Sequence, residues 1–388
     1  VFVGYVGVIY ATLSIVRTLQ RFLQRVLGET GFAVVLTGVL VLTGAWLVMR
    51  VLRRLKGVTP RLMVAGVVLA YAYFLVSLEV AVERVHFLQY GLLTYLGYRL
   101  LRHERTDASV FPACLVLCAL VGMGDEGIQW VLPRRVGEVR DVWINIVASL
   151  LGLVLLVAVR PPELRLRPTR RSWATLGPWF GVLLLSGALF LRYVHGFGHL
   201  VEDPVGGSFR SVYTRDQLLE SAPWKARALR QLGGEFPDER PRGLVAVLRR
   251  KAFERSLKTP THAAYLHEAY RHLGARDGLA SDKAMSWQEA IAEHVILKRY
   301  YRSYYDLQPG ASWTATKERR IRRLAEAEAA ASPTPFTYRS RVQQLLVTSF
   351  SERTMWRVVV PLSLALLSAP LAVRARGHGT RGGIERRD

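Results

Sequence analysis

Three short stretches carry acids, an imidazole and guanidinium groups at helical intervals. Glu83, His86 and Tyr90 are spaced by three and four, Asp125 and Glu126 stand four and three before Gln129, and Asp141 and Asn145 are four apart. On helices each set lies on one face. Two chemistries follow. Arg134 and Arg135 suit a phosphate or carboxylate through the guanidinium fork, and His86 with Glu126 can exchange a proton near neutral pH. His86, Asp125, Glu126 and Asp141 are also hard-ligand types for a metal, but they lack the tight spacing of a metal motif. The structural alternative is that Arg134, Arg135 and Arg140 neutralise Asp125, Glu126 and Asp141 and lock helix ends together, as buried ion networks do. In both cases residues 124–145 are expected to form a re-entering polar hairpin that closes a cluster with Glu83 and His86. No Ser-His-Asp elbow, Gly-rich phosphate loop or His-Glu-x-x-His is present, so an enzyme has no positive motif and no cofactor is expected.

The elements that must hold these residues are membrane helices. The chain is 51% hydrophobic with mean hydropathy +0.17, yet its net charge is +23. Apolar spans joined to a charged portion outside the bilayer reconcile the two values. The positive excess is mostly Arg at the ends of apolar runs, the usual orienting signal of membrane proteins, so lipids are expected partners and nucleic acid is not. A crossing helix needs about 20 mostly apolar residues. Candidates cover 1–16, 31–49, 62–82, 86–101, 110–123, 142–159, 176–194 and 355–373, which predicts an all-α bundle of seven to eight spans. The first, fourth and fifth runs are short and are expected to extend into polar flanks.

Basic connections at 50–61 and 160–171 and the tail after Val373 fall on one side, which the positive-inside rule assigns to the cytoplasm. Residues 83–87, 124–141 and 196–353 then lie outside. The chain divides into N-terminal helices (1–60), a core (61–160), a basic loop and seventh span (161–195), an extracytoplasmic helical domain (196–353), and a last span with a cytoplasmic tail (354–388). It begins at Val1 rather than Met, which fits a trimmed N-terminus or a removed signal peptide.

Residues 83–97, ERVHFLQYGLLTYLG, and 124–152, GDEGIQWVLPRRVGEVRDVWINIVASLLG, resemble the VanZ-like family of polytopic membrane proteins in order and spacing. The matching positions are Glu83, His86, Phe87, Tyr90, Asp125, Glu126, Gln129, Pro133, Arg135, Asp141 and Asn145. The likeness covers about residues 60–160. It departs where Asn145 is followed by Ile-Val-Ala-Ser instead of an early Gly, and in the large insertion before the last span. The resemblance implies the inner membrane of bacteria, an envelope role, and association with teicoplanin-type glycopeptide resistance. Three functions are consistent with it. The first is a non-enzymatic protein whose outer polar pocket binds a lipid or cell-wall precursor headgroup. The second is an accessory or scaffold subunit of a larger membrane assembly, contacting partner subunits through 196–353. The third is a membrane hydrolase or transferase using Glu126 and His86.

Outside this core, Cys114 and Cys118 share a helix face and suit small buried packing positions. HGFGH (195–199) is expected to be a flexible exit loop because of Gly196 and Gly198. The outer domain is predicted helical over 216–232, 243–257, 262–273, 287–304 and 315–330, with Gly and Pro breakers between. His262, His267, His272 and His294 suit surface or packing roles. KERRIRR (317–323) is expected to be a solvated helix face, with attraction to acidic lipid as the lesser reading.

Overall fold

The computed structural model describes residues 1–78, 81–132, 137–159, 167–221, 223–225, 252–253, 255–258, 260–281, 286–307, 313–332, 335–342 and 345–379. It divides into two compact units, unit 1 (Val1–Phe190 with Met355–Asp388) and unit 2 (Leu191–Thr354).

Unit 1 is built from helices α1 (Phe2–Leu52), α2 (Val58–Ser77), α3 (Val85–Leu101), α4 (Val110–Val131), α5 (Val139–Val159) and α6 (Arg170–Phe190), with most of α12 (Glu352–Gly379). The first two predicted spans are one long helix interrupted at Gly28, whose φ of 74° and ψ of 166° suit glycine above other residues. Among the described residues, six helices are long and apolar enough to cross a membrane: Thr18–Leu52, Val58–Ser77, Val110–Val131, Val139–Val159, Arg170–His195 and Glu352–Leu371. Phe2–Leu13 is a shorter apolar helix. Outward faces are apolar, with Leu42, Leu69 and Val76 each more than 70% exposed, as expected of surfaces whose solvent is lipid.

Close contacts fix the directions of the helices. Gly97 of α3 sits against Cys114, Gly122 against Asn145, and Gly152 of α5 against Thr94. Therefore α3 and α5 run parallel and pack directly on each other, with α4 antiparallel to both, and small residues let the backbones approach. Cys114 and Cys118 are buried and unpaired by disulfide, as expected; the Cys114 thiol donates to the Thr94 carbonyl at 3.4 Å. At one end of the bundle Leu55, Val64 and Ala158 cluster, and Arg105 reaches Thr175 Oγ1 at 3.3 Å. Gly177 and Gly181 of α6 lie against Leu366 and Ser363 of α12, which runs antiparallel to α6.

Unit 2 is mostly helical: α7 (Arg215–Leu219), α8 (His262–Leu279), α9 (Trp287–Tyr300), α10 (Arg302–Leu307) and α11 (Ala315–Ala331). Thr261 and Thr314 cap α8 and α11 through their hydroxyls, and Thr214 with Gln217 forms a capping box on α7. The predicted helix over 243–257 lies mostly outside the described residues, as do Arg160 and Arg165 of the second basic connection. The HGFGH expectation is corrected. A π-helical turn (Leu191–His195) leads into strand β1 (Phe197–Asp203), which pairs antiparallel with β2 (Gly207–Ser211) and parallel with β3 (Leu346–Val347), in the order β2-β1-β3. Val201, Phe209, Tyr265, Leu297, Tyr300 and Tyr301 form the centre of this unit's core.

Candidate functional site

The helix directions bring the three polar stretches to one end of unit 1. Glu83 lies in the 3-10 turn Ala81–Arg84 that leads into α3. Asp125, Glu126 and Gln129 ride on the last two turns of α4, and Asp141 is in the first turn of α5. As expected of a short run that extends into its polar flank, α4 continues past Met123 to Val131, and α5 begins at Val139. Residues 133–136 of the expected hairpin lie outside the described residues.

Tyr90, Asp125, Glu126 and Asn145 are at most 1% exposed, and Gln129 is 7% exposed. The Tyr90 hydroxyl donates to Asp125 Oδ2 at 3.3 Å. Glu126 accepts from Gln129 Nε2 at 2.9 Å and from the Glu138 backbone N–H at 3.0 Å, tying the α4 end to the chain entering α5. Gly137 makes that closeness possible, since a Cβ there would strike the Glu126 carbonyl. His86, half-buried in the first turn of α3, places its ring 6.1 Å from that of Tyr90. Ionised groups at mid-bilayer cost about 2.5–3.5 kcal/mol on insertion scales, which explains why these side chains turn inward and engage one another near a helix end.

One guanidinium assignment changes. Arg140 pairs with Glu83 in bidentate fashion, Nη2 to Oε2 at 3.1 Å and Nη1 to Oε1 at 3.3 Å, joining α5 to the turn before α3 instead of neutralising Asp125, Glu126 or Asp141. Arg134, Arg135 and Pro133 lie outside the described residues. Asn145 is the most informative member. Neither its Oδ1 nor its Nδ2 has a hydrogen-bond partner among the described residues, and the amide lies in a notch at Gly122, opposite the Tyr90 ring. Gly122 is one turn before Asp125, so the amide and the Tyr90–Asp125 pair share that notch.

The sequence reading missed Tyr10. Its hydroxyl donates to the Val121 carbonyl at 3.0 Å and lies where a Cβ on Gly124 would be, 2.5 Å away. Buried Phe2, Ile9 and Leu13 at intervals of seven and four mark the packed face beside it, and that spacing was available in the sequence. Among the described residues no group of three or more His, Cys, Asp and Glu side chains is arranged to hold a metal ion.

A polytopic helical bundle with a buried polar cluster at one end defines the class: a membrane protein. Within it, residues 34–160 match the family model described as VanZ/LLP1, which spans α3, α4, α5 and every polar stretch above. The chain is a multi-pass membrane protein by its helices, and residues 34–160 of it are similar to the VanZ/LLP1 family. No curated protein and no solved structure matches it.

Proposed function

We propose that this protein is a non-enzymatic component of the bacterial cell envelope whose polar cluster binds the headgroup of a lipid or a cell-wall precursor. The observation that carries this reading is the Asn145 amide, a donor and an acceptor both buried and without partners among the described residues. A buried polar group without a hydrogen bond costs about 1–3 kcal/mol, so a site that keeps one is shaped for something that completes it. Tyr90 and Asp125 beside it add a hydroxyl and a carboxylate, a set suited to the hydroxyl, amide or amine groups of a headgroup. The association of VanZ-like proteins with glycopeptide resistance fits an envelope role of this kind.

Placement in the inner membrane, with the cluster and residues 196–353 on the outer side and the C-terminus in the cytoplasm, belongs to the same proposal. It is supported by the basic connections at the opposite end of unit 1 and by antiparallel α6 and α12, which put Phe190 and Met355 at the cluster end.

The test is native mass spectrometry of the full chain released from bilayer nanodiscs. Asn145→Leu and Asp141→Asn should lose a co-purifying headgroup-bearing molecule while folded yield is kept. Undiminished retention in both variants would refute the proposal. Stoichiometric company of other proteins, with no bound lipid or precursor, would favour the scaffold function instead.

A further inference from the structure

Beyond Tyr10, the packed face of α1 changes character. The intervals that place Phe2, Ile9 and Leu13 against the bundle continue as Gln20 and Gln24, both half-buried, with Arg21 and Arg25 beside them. The opposite face carries Ile15, Leu19, Phe22 and Val26, each more than 50% exposed. This is the pattern of a segment with its apolar face in acyl chains and its polar face among headgroups. The segment lies at the cluster end of unit 1. Tyr10 is level with Gly124, the helix rises beyond it, and after the Gly28 turn Thr37 accepts from Arg84 Nη1 at 2.5 Å, next to Glu83. The other basic connections, at Arg53 and Arg105, are at the opposite end, so these arginines run against the charge asymmetry that orients the bundle and call for a local reason.

Arg21, Gln24, Arg25 and Glu29 line a concavity of about 350 Å³ at the turn. Arg25 makes no ion pair among the described residues, although Glu29 follows it by four; the Gly28 turn takes Glu29 off the helical path that would pair them. Two guanidinium groups one helical turn apart, with an amide between them, form a donor-rich surface suited to phosphate oxygens.

We infer that the Gly28 turn of α1 binds the phosphodiester of an anionic membrane phospholipid through Arg21, Gln24 and Arg25. The inference rests on the membrane location of unit 1 and not on the headgroup reading of the Asn145 notch. Glu29 weakens the site by placing a carboxylate at its rim, and the exposed apolar face holds the turn at headgroup depth.

The experiment uses the full chain in nanodiscs of mixed phosphatidylglycerol and phosphatidylcholine, with the retained lipid counted by native mass spectrometry. The wild-type chain should retain phosphatidylglycerol several-fold over its share of the bilayer. Arg21→Gln with Arg25→Gln should bring that ratio close to one, and Glu29→Gln should raise it. Asn145→Leu should leave it unchanged, which separates this site from the notch. Equal enrichment in the double-arginine variant overturns the inference. So does a loss of enrichment in Asn145→Leu, because the lipid would then belong to the notch. Folding of the double variant is checked by its elution and by retained thermal stability; both changes are on an exposed helical surface.

Discussion

Both units bury carboxylates, but they complete them differently. In unit 2, Glu268 and Glu293 are fully buried and each collects three donors. Glu268 accepts from Ser211 Oγ at 2.6 Å, the Val212 N–H at 3.0 Å and the Tyr301 hydroxyl at 2.7 Å. Glu293 engages His272 Nδ1 at 2.6 Å, the Tyr338 hydroxyl at 2.6 Å and Ser340 Oγ. Burial pushes Glu268 above the usual carboxylate range. Burial acts on Glu293 in the same sense, but His272, Ser340 and Tyr338 together outweigh it and hold that group below the range. These networks join helices to the sheet and leave the carboxylates nothing to offer a ligand. The cluster in unit 1 has equally buried groups, yet Asn145 keeps a free donor and acceptor among the described residues. The Glu293 network also holds one buried atom without a hydrogen-bond partner among the described residues, His272 Nε2. The difference is that its carboxylate is engaged by three donors, whereas at Asn145 both polar atoms of one side chain are unengaged.

Substitution should separate the two cases, and Glu293→Ala should have the largest effect. It strips His272, Tyr338 and Ser340 of a shared partner inside a packed core, so unit 2 should lose about 3–5 kcal/mol, measured by pulse proteolysis of the full chain in urea. A loss under 1 kcal/mol would mean that the Glu293 network is not what holds unit 2.

A smaller effect, set by pH, is expected at His294. Its ring stacks on Trp313 at 4.7 Å and 6° and is 3.5 Å from Glu318 Oε2. Burial pushes its pKa down to about 4; Glu318 opposes this, and Arg276, Lys298 and Arg322 reinforce it. The fold therefore prefers neutral imidazole and the unfolded chain binds more protons between pH 6.5 and 4. His294 contributes fully above about 6.5, and that contribution is lost as pH falls toward 4. The urea midpoint of unit 2 should drop across this window, and His294→Phe should flatten the drop. Asp203 adds a separate acid limb. Burial would raise it, but the Gly206 and Val205 N–H groups, Arg299 and Tyr300 hold it at about 2, so its contribution is lost only below about pH 4.

The smallest effect should come from Asn145→Leu. Removing an unpartnered amide leaves no orphaned partner behind, so unit 1 stability should change by less than about 1 kcal/mol. A loss of 3 kcal/mol in unfolding from detergent would erase the contrast between the two units and make the notch structural.

Much of the cluster was legible because helical spacing is local. Intervals of three and four put Glu83, His86 and Tyr90, and Asp125 and Gln129, on common faces before any fold was known, and the run of apolar residues set the helices that carry them. Partner choice was not legible. Arg134, Arg135 and Arg140 lie within seven positions of one another, and which of five acids each meets depends on how α3, α4 and α5 are packed. Arg140 on Glu83 is decided there. In unit 2 the glycines of HGFGH suggested a loop, but the strand exists because 207–211 and 346–347 come alongside it, the latter almost 150 residues away.

Composition and periodicity alone determined that this chain is a helical membrane protein with polar faces near one end of its core, because hydrophobic run length and 3.6-residue repeats follow from the chain itself. Tertiary structure decided what those faces do to each other: that Tyr10 crosses to Gly124, that Glu126 is satisfied by its own helix and the chain behind it, and that Asn145 is left with both amide atoms unengaged. Hydrogen bonds of that kind join residues up to about a hundred positions apart, and only the packing of whole helices brings them within reach.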